Sequence, residues 1–295
     1  MKANVAIIMV NYNGEELCKE CIESINNGSI VPDIILVDNA SINFNYKNFL
    51  KYKNVTILRN SENIGFTGGN NIGINFALKN NYEYIILLNN DTIIDKNMIE
   101  ELMSNSNYNT ITTPKMYYYS EPKKIWFAGG KINFFKANAK HIGKDRFDSK
   151  KFDKKKKIDF ATGCCMCIHK SILEKVGLLN ENFFMYNEDL EFCLRCLQKK
   201  IDIIYIPTAM LWHKVGGSSG GDISKTFTYY SNRNRFYLVK GKYFNTEAKV
   251  FVYISRLIRY LLSKMNKDNY FTIKQAYNDA KNGKMGKQVI IDRRS

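Results

Sequence analysis

The chain has 295 residues, of which 45% are hydrophobic and 24% are charged, as in globular proteins that bury a sizeable core. Apolar runs such as Ala6–Val10 and Ile85–Leu88 are far shorter than the roughly 18 residues of a membrane span. The first run breaks at Asn11 without a small-residue cleavage site, which indicates a first strand, not a signal peptide, and predicts a cytoplasmic protein. The net charge of +16 predicts an anionic partner: nucleic acid, a phosphorylated ligand or an acidic membrane face.

Seven cysteines raise the question of a zinc site. Two Cys-x-x-Cys pairs occur, one starting at Cys18 and one at Cys193, but most of the chain separates them. Zinc sites usually bring two such pairs within about 20 residues. Both pairs fall on apolar helical stripes, so we predict buried free thiols.

Strands and helices alternate over the first 115 residues, which predicts an α/β fold with a mostly parallel sheet flanked by helices. A glycine-rich segment, Gly65–Gly73, is predicted to form a turn that leads into a helix through Asn80. A further turn at Trp126–Lys131 is predicted to close a hairpin between two strands. The buried strands predicted from apolar runs are Val5–Val10, Ile34–Val37, Val55–Leu58, Tyr84–Asp91, Thr110–Thr113 and Ile203–Ile206.

A dinucleotide site is the first candidate for such a sheet, but no G-x-G-x-x-G sequence follows the first strand. Polar residues follow three strands instead: Tyr12, Asp38 and Asp91. Because ligands bind outside the carboxyl ends of parallel strands, we expect these side chains to share one edge. There Tyr12 could stack on a base, Asp38 could accept a hydrogen bond from the base, and Asp91 could hold a metal on a diphosphate.

The fourth strand ends in Asn89, Asn90 and Asp91, and carboxylate and amide oxygens are ligands that Mg²⁺ and Mn²⁺ favour. The alternative is that Asp91 caps the next helix, since Asp is a good N-cap residue. Another acidic pair, Glu188 and Asp189, follows an aromatic run at a helix start. Burial there would raise a carboxylate's pKa, which makes the carboxylate a better general base. The alternative is a purely structural pair whose negative charge interacts favourably with the positive end of the helix dipole.

Near the end of the chain, His213 precedes a glycine–serine segment, Gly216–Gly221, that could close over a ligand. A lone histidine of this kind is more often structural than catalytic. Farther on, Val250, Phe251, Ile254, Leu257, Ile258, Leu261 and Leu262 make one apolar helical face. This face either packs on the domain or lies on an anionic membrane, with contact through residues 246–265.

Four motifs in order resemble family 2 glycosyltransferases, and more narrowly their rhamnosyltransferase-like branch: Val10–Gly14, Val37–Ser41, Asn63–Asn71 and Leu87–Asp91. The similarity runs from about Val5 to Gly221. It implies a GT-A fold, a nucleoside-diphosphate sugar donor and a divalent metal, Mg²⁺ or Mn²⁺. We accordingly divide the chain into a catalytic domain (1–222, with a nucleotide-binding half 1–115 and an acceptor half 116–222) and a basic helical extension (223–295).

The resemblance also implies site residues. It places Asp91 and His213 at the metal and diphosphate, Asp189 as catalytic base, and Glu188 beside it as support or acceptor contact. The family's usual Asp-x-Asp is Asn89-Asn90-Asp91 here, so an amide stands in place of the first acid. The residues expected around the nucleotide sugar are Asn11, Tyr12, Asp38, Asn63, Gly65, Gly69, Asn70, Asn89 and Asn90.

The function predicted from the sequence is inverting sugar transfer to a hydroxyl of a glycan or lipid-linked acceptor, in cell-surface polysaccharide or glycoconjugate synthesis. One alternative is a sugar nucleotidyltransferase, which would release pyrophosphate. The other is an inactive basic module that binds membrane or RNA. Nothing in the sequence resembles an RNA-recognition motif, so we expect no nucleic-acid partner.

Overall fold

Four parallel strands form the centre of the main sheet in the computed structural model, which describes residues 4–215, 224–264 and 267–290. In these residues the strands are β1 (Val5–Asn11), β2 (Asp33–Asp38), β3 (Val55–Arg59), β4 (Tyr84–Leu88), β5 (Thr92–Ile94), β6 (Thr110–Tyr118), β7 (Lys124–Phe127), β8 (Gly130–Asn133), β9 (Asn138–His141), β10 (Arg146–Phe147), β11 (Lys156–Ile158), β12 (Cys165–His169) and β13 (Asp202–His213). The helices are α1 (Glu15–Asn26), α2 (Gly65–Lys79), α3 (Met98–Ser104), α4 (Lys170–Val176), α5 (Glu188–Gln198), α6 (Lys225–Lys240), α7 (Thr246–Ser263) and α8 (Lys267–Lys281).

The parallel core has the order β3-β2-β1-β4. Beyond β4 the sheet continues through β12, which is antiparallel, to β6 and its parallel neighbour β13. β1, β2 and β4 are buried on both faces because they consist almost entirely of apolar, mostly branched residues, whereas β3 at the sheet edge is only half-buried. The predicted α/β fold with a parallel central sheet and flanking helices is therefore confirmed, and the strands added on one side are mainly antiparallel.

Helix α2 begins at Gly65, so the predicted turn over Gly65–Gly73 is wrong. These glycines lie inside the helix, and Gly69 and Gly73 let it approach β1. A Cβ on Gly73 would lie 2.4 Å from Cγ2 of Ile8, a distance that no packed methyl group tolerates. The glycine pattern therefore reflects close helix–strand packing in this segment.

Three strands differ in extent from their predictions. β4 stops at Leu88, which leaves Asn89–Asp91 in the following connection. β6 has nine residues, and β13 has twelve and runs through Pro207. The register of β13 against β6 shifts between Ile206 and Met210, and this bulge accommodates a residue that has no N–H to donate.

The hairpin predicted at Trp126–Lys131 is wrong, since β7 and β8 do not pair with each other. β7 pairs with β6 and β10 of the main sheet, while β8 forms its ladder with β9 and a single bridge from Gly130 to Phe160. Gly129, with φ +98°, lies where the chain leaves the main sheet for this second sheet. The result is a separate β8–β9 hairpin beside the main sheet.

All seven cysteines are buried and free, as predicted. Burial raises the pKa of the thiols, for example to about 12 at Cys21, so they behave as apolar side chains. The glycine–serine segment expected to close over a ligand, Gly216–Gly221, lies outside the described residues.

The last three helices pack on one another, but α7 turns most of its apolar face outward. Six of the seven residues predicted to form that face are exposed, and only Phe251 packs, against the ring of Phe135. The inner side of α7 is lined by small residues such as Ala248. None of the helices within the described ranges is long and apolar enough to cross a bilayer.

Candidate functional site

The predicted site residues converge at the edge of the sheet where β1, β2, β4 and β13 end. Asn11 at the end of β1 pairs in register with Asp38 at the end of β2. His213 at the end of β13 pairs with Thr92, next to Asp91. The edge therefore brings together residues up to 202 positions apart in sequence, counting from Asn11 to His213.

The amide of Asn11 links two of the motifs at this edge. Its Nδ2 donates to Oδ1 of Asp38 and to the hydroxyl of Ser41, both at 3.1 Å. Its Oδ1 accepts from Nδ2 of Asn90 at 3.3 Å and from the N–H of Gly14 at 2.9 Å. Asn11 is fully buried, so its role in this structure is to hold the ends of β1, β2 and β4 together.

Asp38 and Tyr12 have opposite exposure. Asp38 has no exposed surface; besides Asn11, it accepts from the N–H of Ser41 at 3.3 Å and lies 3.6 Å from Nε of Arg59. Tyr12 is 41% exposed and presents its ring at the same edge. The tyrosine is therefore open to a ligand, while the aspartate shapes the pocket floor through buried hydrogen bonds.

Asn63 and Gly65 build the connection from β3 into α2. Asn63 Oδ1 accepts from the N–H of Gly65 and from Nδ2 of Asn39, each at 2.9 Å. Gly65 has φ +83°, and a Cβ there would lie 2.2 Å from the carbonyl oxygen of Phe184. Glycine is thus required at the point where α2 meets the aromatic run before Glu188.

Gly69 and Asn70 lie farther along α2, away from the open edge. Gly69 packs on Val10, since a Cβ there would be 2.8 Å from Cγ1 of that valine. Asn70 is buried and donates from Nδ2 to the carbonyl oxygen of Phe66, one helical turn earlier. The structure gives both a packing role, and their place around a nucleotide sugar stays a prediction.

Asp91 and His213 form a buried pair. Oδ1 of Asp91 lies 3.1 Å from Nε2 of His213, and both residues are at most 6% exposed. In the described part of the chain, Oδ1 of Asp91 and Nδ1 of His213 lack a hydrogen-bond partner. Asp91 does not begin a helix, since the next three residues form β5, so the capping alternative is wrong.

Oδ1 of Asp91 and Nε2 of His213 are spaced to hold a divalent cation together. Two neighbouring ligands on an octahedral ion at about 2.1 Å lie about 3 Å apart, close to the Asp91–His213 separation. No cluster of three or more His, Cys, Asp or Glu side chains suited to a metal occurs among the residues described. The protein would therefore supply two ligands, and the remaining positions suit phosphate oxygens and water. Asn89 adjoins the pair; its N–H donates to the carbonyl oxygen of Cys164 at 2.9 Å.

Glu188 and Asp189 begin α5 on the opposite wall. Oδ2 of Asp189 accepts from the N–H of Gly163 at 3.1 Å, and Oδ1 accepts from the N–H of Leu190 at 2.8 Å. Gly163 precedes Cys164, so Asp189 is tied to the strand end that Asn89 also contacts. The residues Asp38, Asp91 and Asp189 thus belong to one connected edge.

The two acids differ in environment. Burial raises the pKa of Asp189, and its backbone hydrogen bonds partly offset that rise. Burial and the neighbouring charge of Asp189 raise the pKa of Glu188 well above its usual value. Oε2 of Glu188 has no partner within the described ranges. Asp189 therefore carries the negative charge of the pair, and Glu188 stays protonated to a higher pH.

Sequence reasoning did not assign a role to Asn234 of α6, although it holds the loop before these acids. Its Nδ2 donates to the carbonyl oxygens of Met185 and Tyr186 at 2.8 and 2.7 Å. Tyr186 and Asn187 both have left-handed φ values, +67° and +70°. Such backbone strain in non-glycine residues needs support from its surroundings. In the sequence, the only hint of the role of Asn234 was its place between two arginines, Arg233 and Arg235.

The chain was also compared with known proteins. The family model described as Glycosyl transferase family 2 matches residues 6–177. The low-salt glycan biosynthesis hexosyltransferase Agl10 of Haloferax volcanii is 31% identical over 241 residues, which cover 80% of this chain and 75% of that protein. The dTDP-rhamnosyl transferase RfbF of Shigella flexneri is 27% identical over 265 residues, covering 81% of each chain.

Solved structures show the fold. GalNAc-T7, crystallised with UDP, GalNAc and Mn²⁺, superposes with a TM-score of 0.67 at 16% identity, covering 94% of this chain and only 55% of that one. The mannosyltransferase PcManGT of Pyrobaculum calidifontis, in complex with GDP-Man and Mn²⁺, gives 0.57 at 11% identity, covering 95% and 75%. The predicted resemblance is confirmed: the chain belongs to glycosyl transferase family 2, on its rhamnosyltransferase-like branch, and is a glycosyltransferase with the GT-A fold.

Proposed function

We propose that this enzyme transfers a hexosyl or rhamnosyl group from a nucleoside-diphosphate sugar to a hydroxyl of a glycan or lipid-linked acceptor, with inversion. The observation that supports it most is the shared edge that joins the Asp91–His213 pair to Asp189 through Asn89, Cys164 and Gly163. The printed names of the relatives, a glycan-biosynthesis hexosyltransferase and a dTDP-rhamnosyl transferase, support the sugar class and a role in glycan synthesis.

The donor's nucleoside binds at the ends of β1 and β2. The exposed ring of Tyr12 stacks on the base, and Asp38 accepts a hydrogen bond from it at the pocket floor. Asp38 has no exposed surface in this structure, so base binding requires a local displacement of the side chains around it. The amides of Asn11 and Asn90 keep the two strand ends in register around this pocket.

The donor's diphosphate lies over Asp91 and His213, which would hold Mg²⁺ or Mn²⁺. Two of the similar solved structures contain Mn²⁺, in keeping with this assignment. When bound, the ion stabilises the negative charge that develops on the departing nucleoside diphosphate. Asp91 and His213 themselves contribute a buried pair of side chains, and within the described ranges Oδ1 of Asp91 and Nδ1 of His213 make no hydrogen bond.

Asp189 is the general base. Its two backbone hydrogen bonds fix the carboxylate, and its raised pKa makes it a stronger base than an exposed aspartate. It takes the proton of the acceptor hydroxyl as that oxygen attacks the anomeric carbon opposite the departing diphosphate, which inverts the configuration. A glycosidase needs a second carboxyl to protonate its leaving group, but a diphosphate leaves as a stabilised anion. Glu188, protonated beside it, supports the site or donates to the acceptor.

The acceptor is presented at a membrane surface through α7. This helix exposes Ile254, Leu257 and Ile258, each more than 40% accessible, and Phe134 and Phe135 at the tip of the β8–β9 hairpin extend the same apolar surface. The segment from residue 224 to 295 has sixteen Lys and Arg against four Asp and Glu, a net charge of +12. An exposed apolar helix face within a strongly basic segment suits peripheral binding to an anionic bilayer, at the cytoplasmic face.

Calorimetry with a panel of sugar nucleotides, with and without Mn²⁺, tests the donor site. We expect one donor to bind only with the metal, and Asp91→Ala to reduce that affinity by at least tenfold. Asp202→Ala is the matched control, because it removes a partly exposed carboxylate from the other end of β13 and should not change donor binding. Release of pyrophosphate instead of a nucleoside diphosphate during turnover would contradict the proposal.

A further inference from the structure

A cavity of about 440 Å³ lies at the β9 end of the β8–β9 hairpin. Four of its lining side chains are permanent cations at neutral pH, and one histidine lies among them; no carboxylate lines it. These residues are His141, Lys144, Arg146, Lys151 and Lys156. The side chains that line the cavity are therefore mainly basic, in contrast to the acidic donor edge.

The acidic residues nearest in sequence are engaged elsewhere. Asp148 and Asp153 bind Nζ of the buried Lys115 at 3.0 and 2.7 Å. Asp145 accepts a hydrogen bond of 2.7 Å from the hydroxyl of Tyr118. None of these three carboxylates lines the cavity.

Three of the cavity's cations are held without acidic partners. Across the residues that the structure describes, Arg146, Lys151 and Lys156 make no ion pair. The ammonium groups of Lys151 and Lys156 lie over the rings of Phe152 and Tyr205, at 4.8 and 5.2 Å from the ring centroids. Lys156 is partly buried, and burial lowers its pKa. A bound anion would stabilise the charged form of Lys156 and raise its pKa again, so the site favours a negatively charged ligand.

The cavity adjoins the reaction centre through one indole ring. Nδ1 of His141 lies 3.2 Å from the carbonyl oxygen of Trp126. The imidazole of His141 meets the Trp126 ring edge-on at 4.7 Å, and the ring of His213 meets it at 4.5 Å. The cavity is thus two ring contacts away from the proposed metal ligand, within the acceptor half.

We propose that this cavity binds a phosphate group carried by the acceptor, as in a lipid-linked or otherwise phosphorylated sugar. The inference rests on the proposed function, since it assigns the acceptor's class. A phosphate accepts several charge-assisted hydrogen bonds at once, and the planar guanidinium of Arg146 can bind two of its oxygens. Anchoring the phosphate there would place the attached sugar beside Trp126, the ring that His213 also contacts.

Binding of inorganic pyrophosphate tests the site without knowledge of the acceptor. Calorimetry is done at constant ionic strength with EDTA, which removes divalent metal from the donor site. We expect Arg146→Gln/Lys151→Gln to weaken binding at least tenfold. Lys150→Gln/Lys154→Gln removes the same charge from exposed residues of the same segment outside the cavity, and should change affinity less than twofold.

Two further measurements separate this site from the donor site. Asp91→Ala should keep its pyrophosphate affinity in EDTA, and Arg146→Gln/Lys151→Gln should keep its metal-dependent sugar-nucleotide affinity. Absence of pyrophosphate binding in the wild type, equal losses in both double variants, or equally tight binding of glucuronate would each overturn the phosphate site. If pyrophosphate binds as expected but no sugar nucleotide does, the proposed function fails while the phosphate site stands.

Discussion

Asn234 in α6 donates a hydrogen bond of 2.7 Å to the carbonyl oxygen of Tyr186, two residues before Glu188. Its Oδ1 in turn accepts from Nε and a terminal nitrogen of Arg233, a buried residue whose guanidinium lies near the rings of Tyr229 and Tyr230. The C-terminal helices therefore hold the strained loop that aims Asp189. This relationship makes Asn234 a positioning residue, which contacts the loop and not the reacting atoms.

Replacing Asn234 should impair turnover more than donor binding. In Asn234→Ala, the Met185 and Tyr186 carbonyls lose their donor and the left-handed loop can relax, so we expect kcat to fall by 10- to 100-fold. The dissociation constant of the donor should change by less than twofold, because the donor site lies on other elements. Steady-state kinetics and calorimetry well below the unfolding temperature distinguish the two effects.

Tyr229→Phe is the control for a loss of stability alone. It removes a 2.8 Å hydrogen bond to Asp279 in the same group of helices, and it keeps the ring and both hydrogen bonds from Asn234 to the loop. We expect a lower Tm and an unchanged kcat. An equal loss of kcat in both variants would mean that Asn234 acts only through stability.

The pH profile of activity should have an acid limb, a fall in rate at low pH, that is caused by protonation of Asp189. A general base works only when ionised, so kcat/KM should fall as the pH drops through its pKa. Because burial raises that pKa, the midpoint should lie above the usual aspartate value of about 3.9. Asp189→Asn should lower kcat at least 100-fold and abolish the limb, with donor affinity nearly intact. Turnover comparable to wild type in this variant would remove Asp189 from its role.

Glu188 should make stability depend on pH. Its folded-state pKa is raised, so above the ordinary glutamate value of about 4.3 the folded state binds more protons than the unfolded chain. Stability contributed by its protonation is complete below that pH and is lost as the pH rises towards the folded pKa, at up to about 1.4 kcal/mol per pH unit.

Glu188→Gln removes this titration. We expect the variant to be more stable than wild type at pH 7 and equally stable near pH 4, as measured by urea unfolding at both values. A stability difference that is the same at pH 4 and pH 7 would show that Glu188 is ionised in the folded protein.

Membrane binding should depend on the outward face of α7. The wild type should sediment together with vesicles that contain anionic lipid. Leu257→Gln/Ile258→Gln should lower the vesicle-bound fraction several-fold. Val31→Gln/Leu50→Gln changes two exposed apolar residues elsewhere and serves as the control. A wild-type dimer that dissociates in Leu257→Gln/Ile258→Gln, with no vesicle binding, would assign this face to a second copy of the chain.

Several features of the fold could be predicted because their causes are local. Apolar runs such as Val5–Val10 and Ile34–Val37 have no alternative to a buried strand, and the polar residues that follow them must lie at the strand ends. The helix start at Glu188 was also correct. The turn predicted over Gly65–Gly73 was wrong because a glycine that permits tight packing and a glycine that permits a turn have the same local signal.

The pairing of distant residues could not be predicted in this way. Strand periodicity by itself indicated an α/β sheet with acids at its strand ends, since periodicity is a property of neighbouring residues, and the resemblance of four motifs to a known family indicated a glycosyltransferase. Only the tertiary structure decided that His213 meets Asp91, that Asn234 holds the loop before Asp189, and that α7 turns its apolar face outward. Each of these depends on which strands and helices become neighbours, and that is determined by burial of the whole core.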